Sequence, residues 1–384
     1  MTYNSDVQTS SFYLHWPFCA YKCHFCPFIS FAGHEQFMEC YQSALCAQME
    51  QFARSVRKKS LIESVFVGGG TPSTCPDGLL LDTFDKLLDI APLSNSAEVT
   101  IEVNPGTVRV EQLEIFRCAG INRLSIGVQS LNNKVLKNLN RLHKAQDVCF
   151  LLENAKDYFE NISIDLILGL PGVSGAEWRR LLQTVVNWPI VHISIYFLTI
   201  HEKTPLYYRI KSGEITVEQE DSLVDLYDWS VDFLGSNGFG RYEISNFAKE
   251  GYECKHNKVY WERKPYKGFG LAACSFDGMC RYQNNKNLGE YLESIEKGGD
   301  GCQSYEKLTE EQVRLEELML GLRTDKGVTW GKMCEGLSKG KRERLESKIA
   351  FLKKNNFIHE KNGRFVISPN WLTIENEIVL ELLV

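Results

Sequence analysis

No apolar run in this chain is long enough to cross a membrane, and the opening decapeptide MTYNSDVQTS has neither the charged head nor the apolar middle of a secretory signal. Positive charge is scarce too. The 43 Lys and Arg stand against 49 Asp and Glu, a formal net charge of −6, which argues against a general nucleic-acid binder. The 13 cysteines form no regular set of close pairs, and an odd number scattered through a long chain is not a secreted disulfide framework. These absences predict a cytoplasmic protein with mostly free thiols. No internal repeat or low-complexity tract stands out. The chain's 384 residues predict two or three domains, and 43% hydrophobic with 24% charged residues is ordinary globular usage.

What the chain does have is an alternation. Apolar, β-rich runs fall at 12–16, 64–68, 98–103, 122–128, 163–169 and 192–198. Helical patterns lie between them, near 35–58, 77–90, 109–119, 144–157 and 175–187. Strand–helix alternation predicts parallel strands joined by right-handed crossovers. Six such units predict an α/β fold, an incomplete TIM-like (β/α)6 barrel with its chemistry at the C-terminal strand ends. We set this barrel at residues 1–216. Residues 217–304 begin with a helix at 218–234 and continue in aromatic, glycine-rich segments, read as strands and loops that extend the barrel. KGGDGCQS (297–304) reads as a hinge. Beyond it, 305–384 reads as a winged-helix-like helical domain, with helices near 309–322, 339–355 and 370–382 and a hairpin at 356–367 turning at Asn362-Gly363.

Three cysteines carry the chemistry: Cys19, Cys23 and Cys26, spaced C-x3-C-x2-C in the loop after the first predicted strand. A four-iron cluster has four irons to ligate, and three thiolates leave one iron open to a small molecule. The alternatives are a structural zinc knot, with His15 or His24 as fourth ligand, or no metal. VFVGGGTPST (65–74) puts three glycines after a strand, where the backbone can approach a ligand and offer N–H groups. The same pattern also suits a tight turn with Thr71 or Ser73 capping a helix. It is a poor phosphate loop, because no lysine follows in the Walker arrangement. Glu102, Gln129 and Asp165 stand at successive strand ends, with Arg141 just beyond. Single polar residues in strands usually satisfy backbone groups, but three at neighbouring barrel strand ends would converge on one mouth.

In order along the chain, HWPFCAYKCHFC, GGGTPS, EVNP, RLSIGVQS and IDLILGLPG resemble the motifs of radical S-adenosylmethionine (SAM) enzymes. The resemblance is to the group of oxygen-independent coproporphyrinogen III oxidase and its relative, the HemW-type haem chaperone. EKTPLY (202–207), YEISNFA (242–248) and HNKVYW (256–261) extend it. It implies that Cys19, Cys23 and Cys26 ligate a 4Fe–4S cluster whose open iron takes the amino and carboxylate groups of SAM. One electron then breaks the sulfonium C–S bond and gives a 5′-deoxyadenosyl radical. It further implies that Gly69, Gly70 and Thr71 hold the methionine end and that Glu102 meets the ribose hydroxyls. Gln129, Arg141, Asp165, Tyr13 and Phe25 match further SAM-contacting positions, with Phe25 near the adenine.

Phe28 stands where the oxidases carry another cysteine, which favours the chaperone branch. HNKVYW points the same way, because it resembles that branch's HNxxYW haem motif. A histidine is an ordinary haem ligand, which makes His256 a candidate haem contact, and Tyr260 and Trp261 suit a flat macrocycle. Two departures qualify the match. GLAACS (270–275) has Cys274 where relatives carry a histidine, and Cys26-Pro27-Phe28 lacks the Asp usual in the chaperones.

The leading expectation is therefore a haem chaperone that binds a 4Fe–4S cluster, SAM and haem. It would use an electron donor and pass haem to an acceptor protein, with no nucleic acid and no membrane span involved. The alternatives are oxidative decarboxylation of coproporphyrinogen III and a cluster-bearing regulator. The regulator would act through the C-terminal domain, whose 338–354 stretch is basic but interrupted by Glu343 and Glu346.

Overall fold

The computed structural model describes residues 3–57 and 60–384. Position 58, the end of the first expected helix, lies outside the described residues, as do the first two residues of the N-terminal decapeptide. Six parallel strands form the centre: β1 (Ser11–Trp16), β2 (Ile62–Gly69), β3 (Leu93–Val103), β4 (Arg123–Gln129), β5 (Asn161–Leu168) and β6 (His192–Phe197). They pair in chain order, each parallel to the next. Helices Met38–Ser55, Asp77–Leu88, Val110–Cys118, Ala145–Ala155 and Gly175–Val185 fill the crossovers, where periodicity places them.

The period-two strand pattern sorts the residues onto two faces. Phe12, Leu14, Val65, Val67, Val99, Ile101, Leu124, Ile126, Ile164, Leu166, Ile193 and Ile195 are buried in one large apolar core with the helices. The other face is unusually polar for a buried surface. Ser11, His15, Ser64, Glu98, Thr100, Arg123, Ser125, Ser163, His192 and Ser194 are all buried. Polar groups bury only when bonded, and these bond between neighbouring strands: Ser64 to Ser11 at 2.9 Å, Ser163 to His192 at 2.8 Å and Ser125 to Asp165 at 3.2 Å.

The middle segment extends both sheet edges. β7 (Gly240–Arg241) and β8 (Asn246–Ala248) add antiparallel strands beyond β6, and β9 (Lys267–Phe269) lies parallel to β1 at the other edge. HNKVYW is not the strand or loop expected. It lies in a helix, Lys255–Trp261, whose first amide N–H groups are satisfied by a buried carboxylate, Glu98. Strand Cys302–Lys307 crosses the expected boundary at 304/305 and pairs antiparallel with Cys280–Asn284, so part of the glycine-rich hinge segment is held in a sheet.

After it, helices Glu310–Leu322, Trp330–Cys334 and Lys339–Lys354 alternate with a three-stranded sheet of Val328–Thr329, Ile358–Lys361 and Arg364–Ile367. This is a winged-helix arrangement. Asn362 and Gly363 both take positive φ at the hairpin tip. The segment has its own apolar core, built on Leu318, Leu322, Leu345, Ile349, Leu352 and Ile358. No helix among the described residues is long and apolar enough to cross a membrane.

Candidate active site

The C-terminal strand ends open onto a cavity of about 520 Å³, within the range of small-molecule sites. The cysteine loop forms one wall. It starts as a short strand, Phe18–Cys19, paired parallel with Phe31–Ala32, and segment 136–141 anchors its middle. The His24 amide donates to the Leu139 carbonyl at 3.0 Å, and Asn140 Nδ2 donates to the Lys22 carbonyl at 2.7 Å. Backbone bonds from Gly70 to Trp16 and from Thr71 to Phe18 hold the loop's entry against the glycine turn.

Of the residues expected at the site, Cys19, Cys23, Cys26, Phe25, Gly69, Gly70, Thr71, Glu102, Gln129, Arg141 and Asp165 all line this one cavity. Gly69 is at φ +114°, a region that side chains rarely adopt, and its amide donates to Glu102 Oε2 at 3.1 Å. Gln129 is also at positive φ, on a register shift between Gly127 and Gln129 that turns its side chain at the end of β4. The Arg141 guanidinium donates to Asn104 Oδ1 at 2.7 Å and approaches the Cys23 sulfur at 3.8 Å. Burial raises the Glu102 carboxyl to about 7, and neighbouring Asp165 pushes in the same direction. Asp165 is itself raised by burial, against the bonds from Ser194 and Ser125.

Tyr13 and His256 lie elsewhere. Tyr13 is beneath the cavity floor, with its hydroxyl on His15 Nδ1 at 3.0 Å and its ring stacked on Phe66. His256 lies in the polar lumen beneath the cavity and is 1% exposed. Its Nδ1 meets Ser64 Oγ at 3.0 Å and its Nε2 meets the Tyr260 hydroxyl at 2.9 Å. Burial lowers its pKa to about 3, so the ring is neutral. As folded, it offers no free nitrogen to a macrocycle.

The sequence reading missed several cavity residues. Asn104 donates to Thr71 Oγ1 at 2.9 Å while accepting from Arg141, so it joins two candidate residues. It sits inside the EVNP motif, two positions after Glu102, where its place at a strand end could have flagged it. Tyr196 and Ser125 also line the cavity, and the period-two pattern of β6 and β4 would have pointed both inward.

Residues 13–185 match the radical SAM superfamily. The haem chaperone HemW of Bacillus subtilis is 32% identical over 371 residues, covering 96% of this chain and 97% of that protein. HemW of Synechocystis is 34% identical, covering 87% of this chain and 82% of that protein. The chain belongs to the HemW family of radical SAM proteins. Coproporphyrinogen III oxidase (HemN) from Escherichia coli shares the fold, with a TM-score of 0.84 over 99% of this chain and 91% of that one, at 21% identity.

Membership of this superfamily implies a 4Fe–4S cluster and SAM, and the HemW-family residues on the cavity fit both. The three thiols line one wall of the cavity, and a set of three Cys ligands suits a cluster, in which each ligates a different iron. Arg141 Nε is buried with no partner, an unspent donor beside the thiols. Gly70 lets the turn pack directly on the entry of the cysteine loop, since an added Cβ would sit 2.6 Å from the Phe18 carbonyl.

Proposed function

We propose that this protein is a haem chaperone that binds a 4Fe–4S cluster through Cys19, Cys23 and Cys26, holds SAM on the glycine turn, binds haem and delivers it to an acceptor protein. The observation that carries the reading is the meeting of three thiols, the glycine turn and Glu102 on one cavity, in a chain similar over nearly its whole length to HemW haem chaperones. When bound, the cluster and SAM supply reductive cleavage of the sulfonium C–S bond. The chain's own residues bind and orient. Gly69 and Gly70 allow close backbone approach, Glu102 presents a carboxylate to hydroxyl donors, and Asn104 fixes Thr71 and Arg141 relative to each other. An electron donor and a cytoplasmic setting belong to the same proposal.

Haem contact at His256 would require helix Lys255–Trp261 to leave the barrel lumen, because both ring nitrogens are bonded there. The oxidase reading gains no specific support, since likeness of fold does not carry activity and Phe28 occupies the place of the oxidases' extra cysteine.

The test is a haem titration of anaerobically reconstituted protein, followed by mixing with a haem-free acceptor. Saturable binding and transfer are expected, without conversion of coproporphyrinogen III. Absence of haem binding, or production of protoporphyrinogen, overturns the reading.

A further inference from the structure

His15 lies four residues before the first cluster cysteine, on the lumen face of β1, and is 7% exposed. Its Nε2 is 3.2 Å from the carbonyl of Ile29, and its Nδ1 is 3.0 Å from the Tyr13 hydroxyl. A carbonyl only accepts, so Nε2 carries the hydrogen and donates to Ile29. Nδ1 is then bare and accepts from Tyr13. Burial lowers the pKa to about 4, consistent with this neutral tautomer. With both nitrogens engaged, the ring has no lone pair for a metal, which removes His15 as the fourth ligand of a zinc knot.

Ile29 lies three residues beyond Cys26, at the exit of the cysteine loop. The opposite side of the His15 ring faces the glycine turn: a Cβ on Gly69 would lie 2.5 Å from ring atoms Cε1 and Nδ1. Gly69 is thus glycine for two reasons, its positive φ and the imidazole against it. The His15 backbone is held as well. Its carbonyl accepts from the Tyr41 hydroxyl at 2.6 Å, and Gly270 packs so closely that an added Cβ would come within 2.8 Å of that oxygen. The ring is therefore fixed from several sides and joins two parts of the site that are 40 residues apart in sequence, Ile29 and Gly69.

We propose that His15 is a positioning residue, which together with Tyr13 sets the spacing between the exit of the cysteine loop and the glycine turn and so aligns the cluster with SAM. It acts through the Ile29 carbonyl and the Gly69 backbone and touches neither cofactor. The idea rests on the reading of that loop as the cluster site, while its first test needs no cluster. Tyr13, matched by resemblance to a SAM contact, works here one step back.

In metal-free protein, limited proteolysis within 20–32 should run about tenfold faster for His15→Leu than for wild type, the effect of one lost bond between buried groups. In reconstituted protein the same variant should weaken SAM about tenfold and diminish the SAM-induced change in the reduced cluster's EPR spectrum. His15→Gln can accept from Tyr13 and donate to Ile29, and should restore both readouts. Should His15→Leu fail to fold, Tyr13→Phe carries the test. It removes only the hydroxyl and should give the same changes at about threefold with the melting temperature kept. Wild-type proteolysis and SAM response in His15→Leu, or equal impairment of His15→Gln and His15→Leu, overturns the proposal. Haem titration of these variants tests the chaperone reading separately.

Discussion

The carboxylate of Glu98 accepts the backbone N–H of His256 at 3.1 Å, across 158 residues of chain. It also accepts from the Lys255 amide at 3.0 Å and the Cys254 thiol at 3.3 Å. One buried side chain on β3 thus holds the first turn of the HNKVYW helix in the lumen, where a negative charge suits a helix N-terminus. If haem reaches His256 only when this helix moves out, loosening the latch should speed haem association. Stopped-flow absorbance of Glu98→Gln should show a rate about tenfold higher, from weakening charge-assisted bonds. His256→Ala should lose the corresponding spectral species. An unchanged rate in Glu98→Gln would mean that haem binds without opening the helix.

Glu102 predicts a pH dependence. Its carboxyl is raised from 4.5 to about 7 by burial, with Asp165 adding to the shift. Because the folded value is the higher one, the protonated form stabilises the fold fully below about pH 4.5, and that contribution is lost as pH rises through 7. A carboxylate that accepts two ribose O–H bonds must be ionised. SAM affinity should therefore rise about tenfold between pH 6 and 8 as the ionised fraction grows. Isothermal titration across that range checks this, and Glu102→Gln should abolish the slope.

Gly69→Ala should be disabling beyond its size. The new methyl would meet the His15 ring at 2.5 Å in a backbone at φ +114°. Strain and overpacking together cost about 2 kcal/mol or more. Denaturant unfolding should record this loss, and SAM binding should fall below detection. Gly78→Ala, where an added Cβ meets nothing within 4 Å, should be nearly silent.

Arg323 joins the C-terminal segment to the barrel edge. Its Nε lies 2.6 Å from Glu243 Oε2, and its guanidinium stacks over Trp261 at 4.6 Å. Glu243 is 1% exposed, so Arg323→Ala leaves a buried carboxylate without its partner, at a cost of about 3 kcal/mol. Lys353→Ala breaks an exposed pair with Glu360 and should change stability by no more than about 0.5 kcal/mol. Comparing the two melting curves checks both values.

The sequence by itself determined the alternating strands and helices and the winged-helix outline, and its motifs named eleven candidate residues that line one cavity. These are local signals. Period-two burial, helical periodicity and a tight cysteine triple are written in neighbouring residues. It could not decide which polar residues reach the cavity and which support it from below. Tyr13 and His256 carry family motifs as plain as Glu102, yet one braces His15 and the other is bonded inside the lumen. Those places depend on partners far away in sequence: Ser64 lies 192 residues from His256, and Glu98 lies 158. Burial and hydrogen-bond satisfaction belong to the folded chain as a whole, so only the tertiary structure could assign them.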